Sequence, residues 1–219
     1  MQQSKRMDTK QLVVLAMLAA LAYACVAFFR IPVVAFLKYE PKDCILAIAG
    51  MLYGPLPAVA VAAAVALLEM VTVSDTGLIG LLMNVLSSVL FIVPAAYLYQ
   101  RKKTLTNAIV GLAMGTMLMT GGMLLWNWLV TPFYMHVARQ AVVEMLLPVF
   151  LPFNLFKAAL NAVLTTLLYK SVVTALRKAH LVPQTEQATN RKRGIGVWLI
   201  GATVLAALIL VLLVWKGIL

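Results

Sequence analysis

Leu146-Leu147-Pro148-Val149-Phe150-Leu151-Pro152-Phe153-Asn154-Leu155-Phe156-Lys157 opens an apolar stretch that continues to Tyr169. About 20 apolar residues suffice for a helix to cross a hydrocarbon layer of about 30 Å, so the stretch reads as a membrane helix. Lys157 is at odds with those surroundings. An ammonium group at the centre of such a helix costs about 2.5–3.5 kcal/mol on insertion scales and normally faces a cavity or a partner. Asn154, three residues earlier, and Asn161, one turn later, share its helical face. The stripe can bind a polar ligand group. Alternatively, Lys157 snorkels to an interface and the two asparagines join helices.

Working outward, further apolar runs lie at about 11–29, 44–53, 56–73, 77–99, 105–130, 146–176 and 195–215. Gly54-Pro55-Leu56-Pro57 divides a stretch too long for one crossing into two helices joined by a tight turn. With 63% hydrophobic residues in a chain of 219, there is no room for a sizeable soluble domain. Strand alternation of the membrane-barrel kind is absent. The predicted fold is an all-α integral membrane protein: a six-helix bundle over 1–178, a polar cytoplasmic linker over 179–194 and one additional transmembrane helix over 195–219. The first segment follows Lys5, Arg6 and Lys10 but has no small-residue cleavage site after a short apolar core, so it is read as a retained helix.

The net charge of +11 comes from short basic runs between apolar segments. That is the pattern of positive-inside topology rather than of nucleic-acid binding. With a cytoplasmic N-terminus, Lys5, Arg6, Lys10, Arg101, Lys102, Lys103, Lys170, Arg177, Lys178, Arg191, Lys192 and Arg193 all face inside. Arg30, Lys38, Lys42, Arg139 and Lys216 then face outside with Glu40, Asp43, Asp75 and Glu144, and Lys157 alone is left within the membrane. Cys25 and Cys44 match no metal-ligand spacing and are read as packing residues.

Between the first two helices, Arg30 to Asp43 mixes proline, aromatic and charged residues. Phe36, Leu37 and Tyr39 could close over a ligand as a lid, or anchor an ordinary interfacial loop. Ala16, Ala20 and Ala24 recur every four residues on the first helix, a smooth strip for close helix packing within this chain or against another. Gly111 and Gly115 make a similar structural surface on the fifth. Trp126-Asn127-Trp128, with Thr131, Pro132 and Tyr134, marks the expected outer end of that helix. Asn127 there needs a partner, which a ligand or Asn154 would supply. Asn84 is read as a helix-to-helix hydrogen bond, and Glu69 as a residue of the outer interface next to Asp75 rather than a partner of Lys157 or part of a proton relay. His136 and His180 are isolated, which argues against a metal site. Gly194 and Gly196 belong to no phosphate loop, and no nucleophile sits beside a base, so catalysis is not indicated.

Four stretches together resemble the riboflavin-specific substrate-binding S components of energy-coupling factor (ECF) transporters, the RibU type. They are Phe36 to Asp43, Gly50 through Gly54-Pro55, Trp126-Asn127-Trp128 with Pro132 and Tyr134, and Leu151 to Lys157, within a similarity spanning about residues 10–178. The resemblance implies a six-helix bundle in a bacterial cell membrane. It would capture riboflavin on the outer face, or the related flavin FMN, and deliver it by toppling, driven by a transmembrane T component and two ATP-binding-cassette ATPases. By position it implies that Asn127, Asn154 and Lys157 hydrogen-bond the flavin's pyrimidine edge or ribityl chain. Leu37, Phe153 and Phe156 would meet its dimethylbenzene end and Tyr39 would cover it. It also assigns the strip of Ala16, Ala20 and Ala24 to the T component. Riboflavin would be a transported substrate and not a cofactor. The chain departs from the family in its seventh helix and in Glu69, where a basic residue often stands. Other vitamins (thiamine, biotin, folate) are rival substrates, and a proton-coupled secondary carrier using Glu69 and Lys157 is a rival mechanism.

Overall fold

The computed structural model describes residues 8–34 and 37–182. Helix α1 (Thr9–Phe28) leads into a two-stranded antiparallel hairpin, β1 (Ile31–Val34) and β2 (Leu37–Tyr39). The hairpin corrects the all-α expectation in one place. Its register pairs Ile31 with Tyr39 and Pro32 with Lys38, then shifts before Val34 meets Leu37. Pro32 lacks an amide donor, which is tolerated because a two-stranded ribbon has only edges.

Helices α2 (Lys42–Tyr53), α3 (Pro55–Thr72), α4 (Gly77–Arg101) and α5 (Leu105–Met135) follow. The chain then runs through α6 (Arg139–Met145), a π-helical turn (Leu146–Phe150) and α7 (Leu151–Lys178). The wide turn coincides with Pro148, which cannot donate to a regular helical ladder. Five stretches among the described residues are long and apolar enough to cross a membrane: Thr9–Phe28, Pro55–Thr72, Gly77–Arg101, Leu105–Met135 and Arg139–Lys178.

Helix α2 is the exception. Its 12 residues reach about 18 Å, well short of a bilayer's hydrocarbon thickness. Every residue from Lys42 to Met51 is buried, and α1, α3, α4 and α7 all pack around it. It is the core element of the bundle. Gly54, at φ 95°, makes the turn out of α2, and Pro55 starts α3 where a missing amide hydrogen costs nothing.

Helices α4 and α5 pack closely along their length. A Cβ on Gly115 would lie 2.3 Å from the Phe91 carbonyl oxygen, so the two backbones touch there and only glycine fits. Gly111 meets the Ala95 backbone one turn earlier. The glycine surface on this helix is therefore structural, as its spacing predicts. Helix α5 ends at Met135 and not near residue 130. Trp126, Asn127 and Trp128 thus lie inside it, and His136 closes it in a left-handed conformation. The linker beyond residue 182 and the predicted helix over 195–219 lie outside the described residues.

Candidate functional site

One cavity of about 300 Å³ opens among α3, α4, α5, α7 and the hairpin. That volume is at the lower end of the range of roughly 300–1,000 Å³ for small-molecule sites. It sits where α4 and α7 begin, and both helices finish at the opposite end in basic residues, Arg101 and Arg177-Lys178.

One wall comes from α5 and α7, whose facing turns carry Met123, Trp126, Asn127, Phe153, Asn154 and Lys157. Asn127 and Asn154 are buried, and each donates through Nδ2 to the carbonyl four residues back: Met123 at 2.7 Å and Phe150 at 2.8 Å. Asn127 Oδ1 also accepts from Thr131 Oγ1 at 2.9 Å. Of the two partners open to Asn127, a ligand or Asn154, the second is not used: both amides bond within their own helices, which fixes them against the cavity. Lys157 is only 7% exposed, and its ammonium group makes no hydrogen bond or ion pair among the described residues. It does not snorkel away.

Asn161 leaves the stripe. Its Oδ1 accepts from the Cys44 amide at 3.2 Å, satisfying a donor in the first turn of α2, and it does not line the cavity. Here the reading of asparagine as a link between helices is the right one. Asn84 also joins helices, donating to Glu69 Oε1 at 2.8 Å.

The hairpin forms the roof. Leu37 and Lys38 line the cavity, while Lys38 donates to Asp75 at 2.8 Å across to the loop before α4. That hydrogen bond, with the lysine's charge, holds the Asp75 carboxyl below its ordinary range. Tyr39 and Phe156 do not line the cavity. Their rings meet edge to face, with centroids 6.0 Å apart, beside Leu160. Burial pushes the Tyr39 hydroxyl well above its ordinary range, and that hydroxyl has no partner among the described residues. Phe36 lies outside them.

Sequence reading missed the cluster behind this roof. Glu69 is fully buried, not interfacial: it is paired with Lys42, hydrogen-bonded by Asn84 and approached by Arg30 at 3.5 Å. Glu40 bridges the same cations, 2.8 Å from Arg30 and 3.1 Å from Lys42. Burial opposes ionisation of Glu40, but the charges of Lys42, Lys157 and Arg30 outweigh it and hold its carboxyl below the ordinary range. Asp43 is buried too, accepting from Ser88 at 2.6 Å. Of the charges expected on the outer face, Glu40, Lys42 and Asp43 are therefore inside the protein, while Arg139 and Glu144 stay exposed, and Lys157 is not the lone interior cation. The signal that could have found them is the length of α2. The residues from Cys44 to Tyr53 reach only about 15 Å, so charges just before them had to enter the bundle.

Ala16 and Ala20 are exposed on α1 and Ala24 is half-buried. Leu12, Val13, Met17 and Leu21 are exposed around them, so this strip does not pack within the described residues. No cluster of three or more metal-ligating side chains occurs among those residues.

The family model for the substrate-specific component of ECF transporters matches residues 10–169. The riboflavin transporter FmnP of Bacillus subtilis (strain 168) is 30% identical over 189 residues, covering 80% of this chain and 100% of that protein. The riboflavin transporter RibU of Streptococcus thermophilus (strain ATCC BAA-250 / LMG 18311) is 26% identical over 183 residues, covering 78% of this chain and 86% of its own. The solved S component of a bacterial ECF transporter superposes with a TM-score of 0.64 at 26% identity, over 76% of this chain and 97% of that one.

Proposed function

This chain belongs to the family of substrate-specific components of ECF transporters, and from that premise we propose that it captures riboflavin for import. The observation that carries the reading is the wall on which Asn127, Asn154 and Lys157 meet Leu37 and Phe153. An isoalloxazine is apolar at its dimethylbenzene end and rich in carbonyl and ring-nitrogen acceptors at the other. Buried amides with spare donors and an ammonium that makes no hydrogen bond or ion pair among the described residues match the second end, and Leu37 and Phe153 match the first. Tyr39 and Phe156 act one layer back, where their ring pair holds β2 against α7.

By positive-inside topology the N-terminus is cytoplasmic and the cavity opens outward, away from the basic ends of α4 and α7. Uphill delivery then requires an energy-coupling module of a T component and two ATP-binding-cassette ATPases. The exposed strip of Ala16 and Ala20, extended by Ala24, is the surface that would meet the T component. A self-contained proton-coupled carrier is a poorer fit, because Glu69 is held by Lys42, Arg30 and Asn84 rather than by Lys157.

The test is the absorbance spectrum of the protein purified in detergent without added ligand, followed by riboflavin titration read by fluorescence quenching. A yellow preparation, or stoichiometric quenching at nanomolar riboflavin, supports capture. A colourless protein that leaves riboflavin fluorescence untouched, yet binds thiamine, biotin or folate, moves the assignment to another vitamin. Uptake driven by a pH gradient in liposomes holding this chain alone would instead establish the secondary carrier.

A further inference from the structure

The long helices do not close a ring around α2. Helix α1 packs on α3, α3 on α4, α4 on α5 and α5 on α7, while α2 lies in the middle against α1, α3, α4 and α7. No comparable pairing joins α7 back to α1 among the described residues, so a seam is left between the first helix and the last. On α7, one face runs through Phe156, Leu160, Leu164, Leu168, Ser171 and Ala175 at steps of three and four residues. Phe156 and Leu160 are buried against Tyr39, Leu164 is half-buried, and Leu168, Ser171 and Ala175 are exposed. The hairpin thus covers this face at the cavity end and leaves it bare at the basic end. On α1, Tyr23 marks the edge toward α3 by donating to Thr72 at 2.9 Å. Met17 and Leu21, about a third of a turn or more round the helix from Tyr23, are exposed on the other edge.

The chain itself supplies an occupant for the seam. The family match ends at residue 169, while residues 195–219 hold a further apolar run long enough to cross a membrane. The chain is also turned toward the bundle where it leaves α7. His180 takes a left-handed conformation, the Leu181 amide donates to the Leu176 carbonyl at 3.0 Å, and Leu181 and Val182 fold back onto the main apolar core. About 12 residues then separate Val182 from the apolar run, a tether of at most about 40 Å. Arg191, Lys192 and Arg193 precede the run and put its start at the basic end, where α7 finishes. Successive helices joined in this way pack as antiparallel neighbours. One edge of α7 is taken by α5, which leaves the seam. There the run is parallel to α1, and the depths of small residues agree. Ala202 and Ala206 lie about 13.5 and 19.5 Å along the helix from Arg193, and Ala20 and Ala24 about 15 and 21 Å from Lys10. Small residues at equal depth let two helices approach closely.

We propose that residues 195–219 seat in the seam between α1 and α7 and cover Ala20 and Ala24 until the energy-coupling module displaces them. The chain then carries its own competitor for the T component. The competition rests on assigning the alanine strip to the T component, whereas the seating stands without it.

The experiment is cysteine cross-linking in the full-length protein with Cys25 and Cys44 replaced by alanine, once riboflavin titration shows that this parent binds as wild type does. If the parent loses binding, the same pairs are read in the chain with both native cysteines, against single-cysteine variants as blanks. Leu21→Cys on α1 or Leu168→Cys on α7 is combined in turn with cysteine at Gly201, Ala202, Thr203 and Val204, and treated with a short bifunctional maleimide. Met114→Cys, on the exposed face of α5, is the control partner. Seating in the seam predicts intramolecular cross-links from both Leu21→Cys and Leu168→Cys, strongest at Ala202→Cys for the former, and at least tenfold weaker ones from Met114→Cys. Equal cross-linking from all three, or none from any, overturns the seating. So do cross-links that join only differently tagged copies, which would give the seam to a second chain. In vesicles containing the energy-coupling module, the cross-link to Leu21→Cys should lower riboflavin uptake at least tenfold while riboflavin affinity stays within twofold. Uptake unchanged by the cross-link overturns the competition. Failure of the partner assignment itself shows separately, as full uptake by Ala20→Trp without any cross-linker.

Discussion

Replacing Lys157 by methionine separates ligand binding from folding. Lys157 lines the cavity, is 7% exposed, and its ammonium group makes no hydrogen bond or ion pair among the described residues. Its nearest electrostatic consequence is on Glu40, which keeps Lys42 and Arg30 as partners. Removing it therefore breaks no pair, and methionine is of similar length and apolar. Apo stability should change by less than about 1 kcal/mol, since substituting an apolar group for a buried charge is often neutral or stabilising. Binding should suffer. One charge-assisted hydrogen bond to a flavin acceptor is worth about 1.5–3 kcal/mol, which at about 1.4 kcal/mol per decade is roughly a 10- to 150-fold weaker riboflavin Kd. Fluorescence-quenching titration gives the Kd and thermal unfolding of the apo protein in the same detergent gives the stability. Unchanged affinity would remove Lys157 from the site. Apo protein weakened by several kcal/mol would show that the ammonium belongs to the structural ion cluster.

The buried cluster should behave in the opposite way. Glu69→Gln leaves Lys42 with one carboxylate, Glu40, and should cost about 3–5 kcal/mol, whereas the double variant Lys42→Met with Glu69→Leu should recover much of that loss; strictly additive losses on thermal unfolding would refute the coupling. The tie from Lys38 to Asp75 gives the roof a pH dependence. Because the Asp75 pKa is depressed on folding, its contribution is fully present above its unfolded value near 3.8 and is lost as pH falls through the lower folded value. Riboflavin dissociation measured by stopped flow should accelerate across that acid window in wild type but not in Asp75→Asn. Finally, Ala20→Trp places a bulky ring on the exposed strip of α1, so riboflavin affinity should stay within twofold while uptake into vesicles containing the energy-coupling module falls at least tenfold. Preserved uptake would move the partner surface elsewhere.

The sequence by itself determined that this is a helical membrane protein, because about 20 consecutive apolar residues have no other stable arrangement in a chain with so few polar ones. It also determined the break at Gly54-Pro55, since proline cannot continue a helical ladder and glycine tolerates the positive φ of the turn. Asn127, Asn154 and Lys157 were legible as candidates because polar groups are expensive in apolar segments wherever they occur. Periodicity could not tell which of them face the same space. Asn154 and Asn161 have the same local signature, yet one borders the cavity and the other satisfies the Cys44 amide, a choice made by a residue 117 positions away. The charges from Glu40 to Asp43 looked like an exposed loop because local composition records charge and not depth. Only the tertiary packing of short α2 inside the bundle carries them into the interior, where Glu69 on α3 and Arg30 beside the hairpin neutralise them. Hydrophobic length is a property of a segment and can be read one segment at a time. Burial and ion pairing are properties of several segments at once, and they are fixed only when the helices meet.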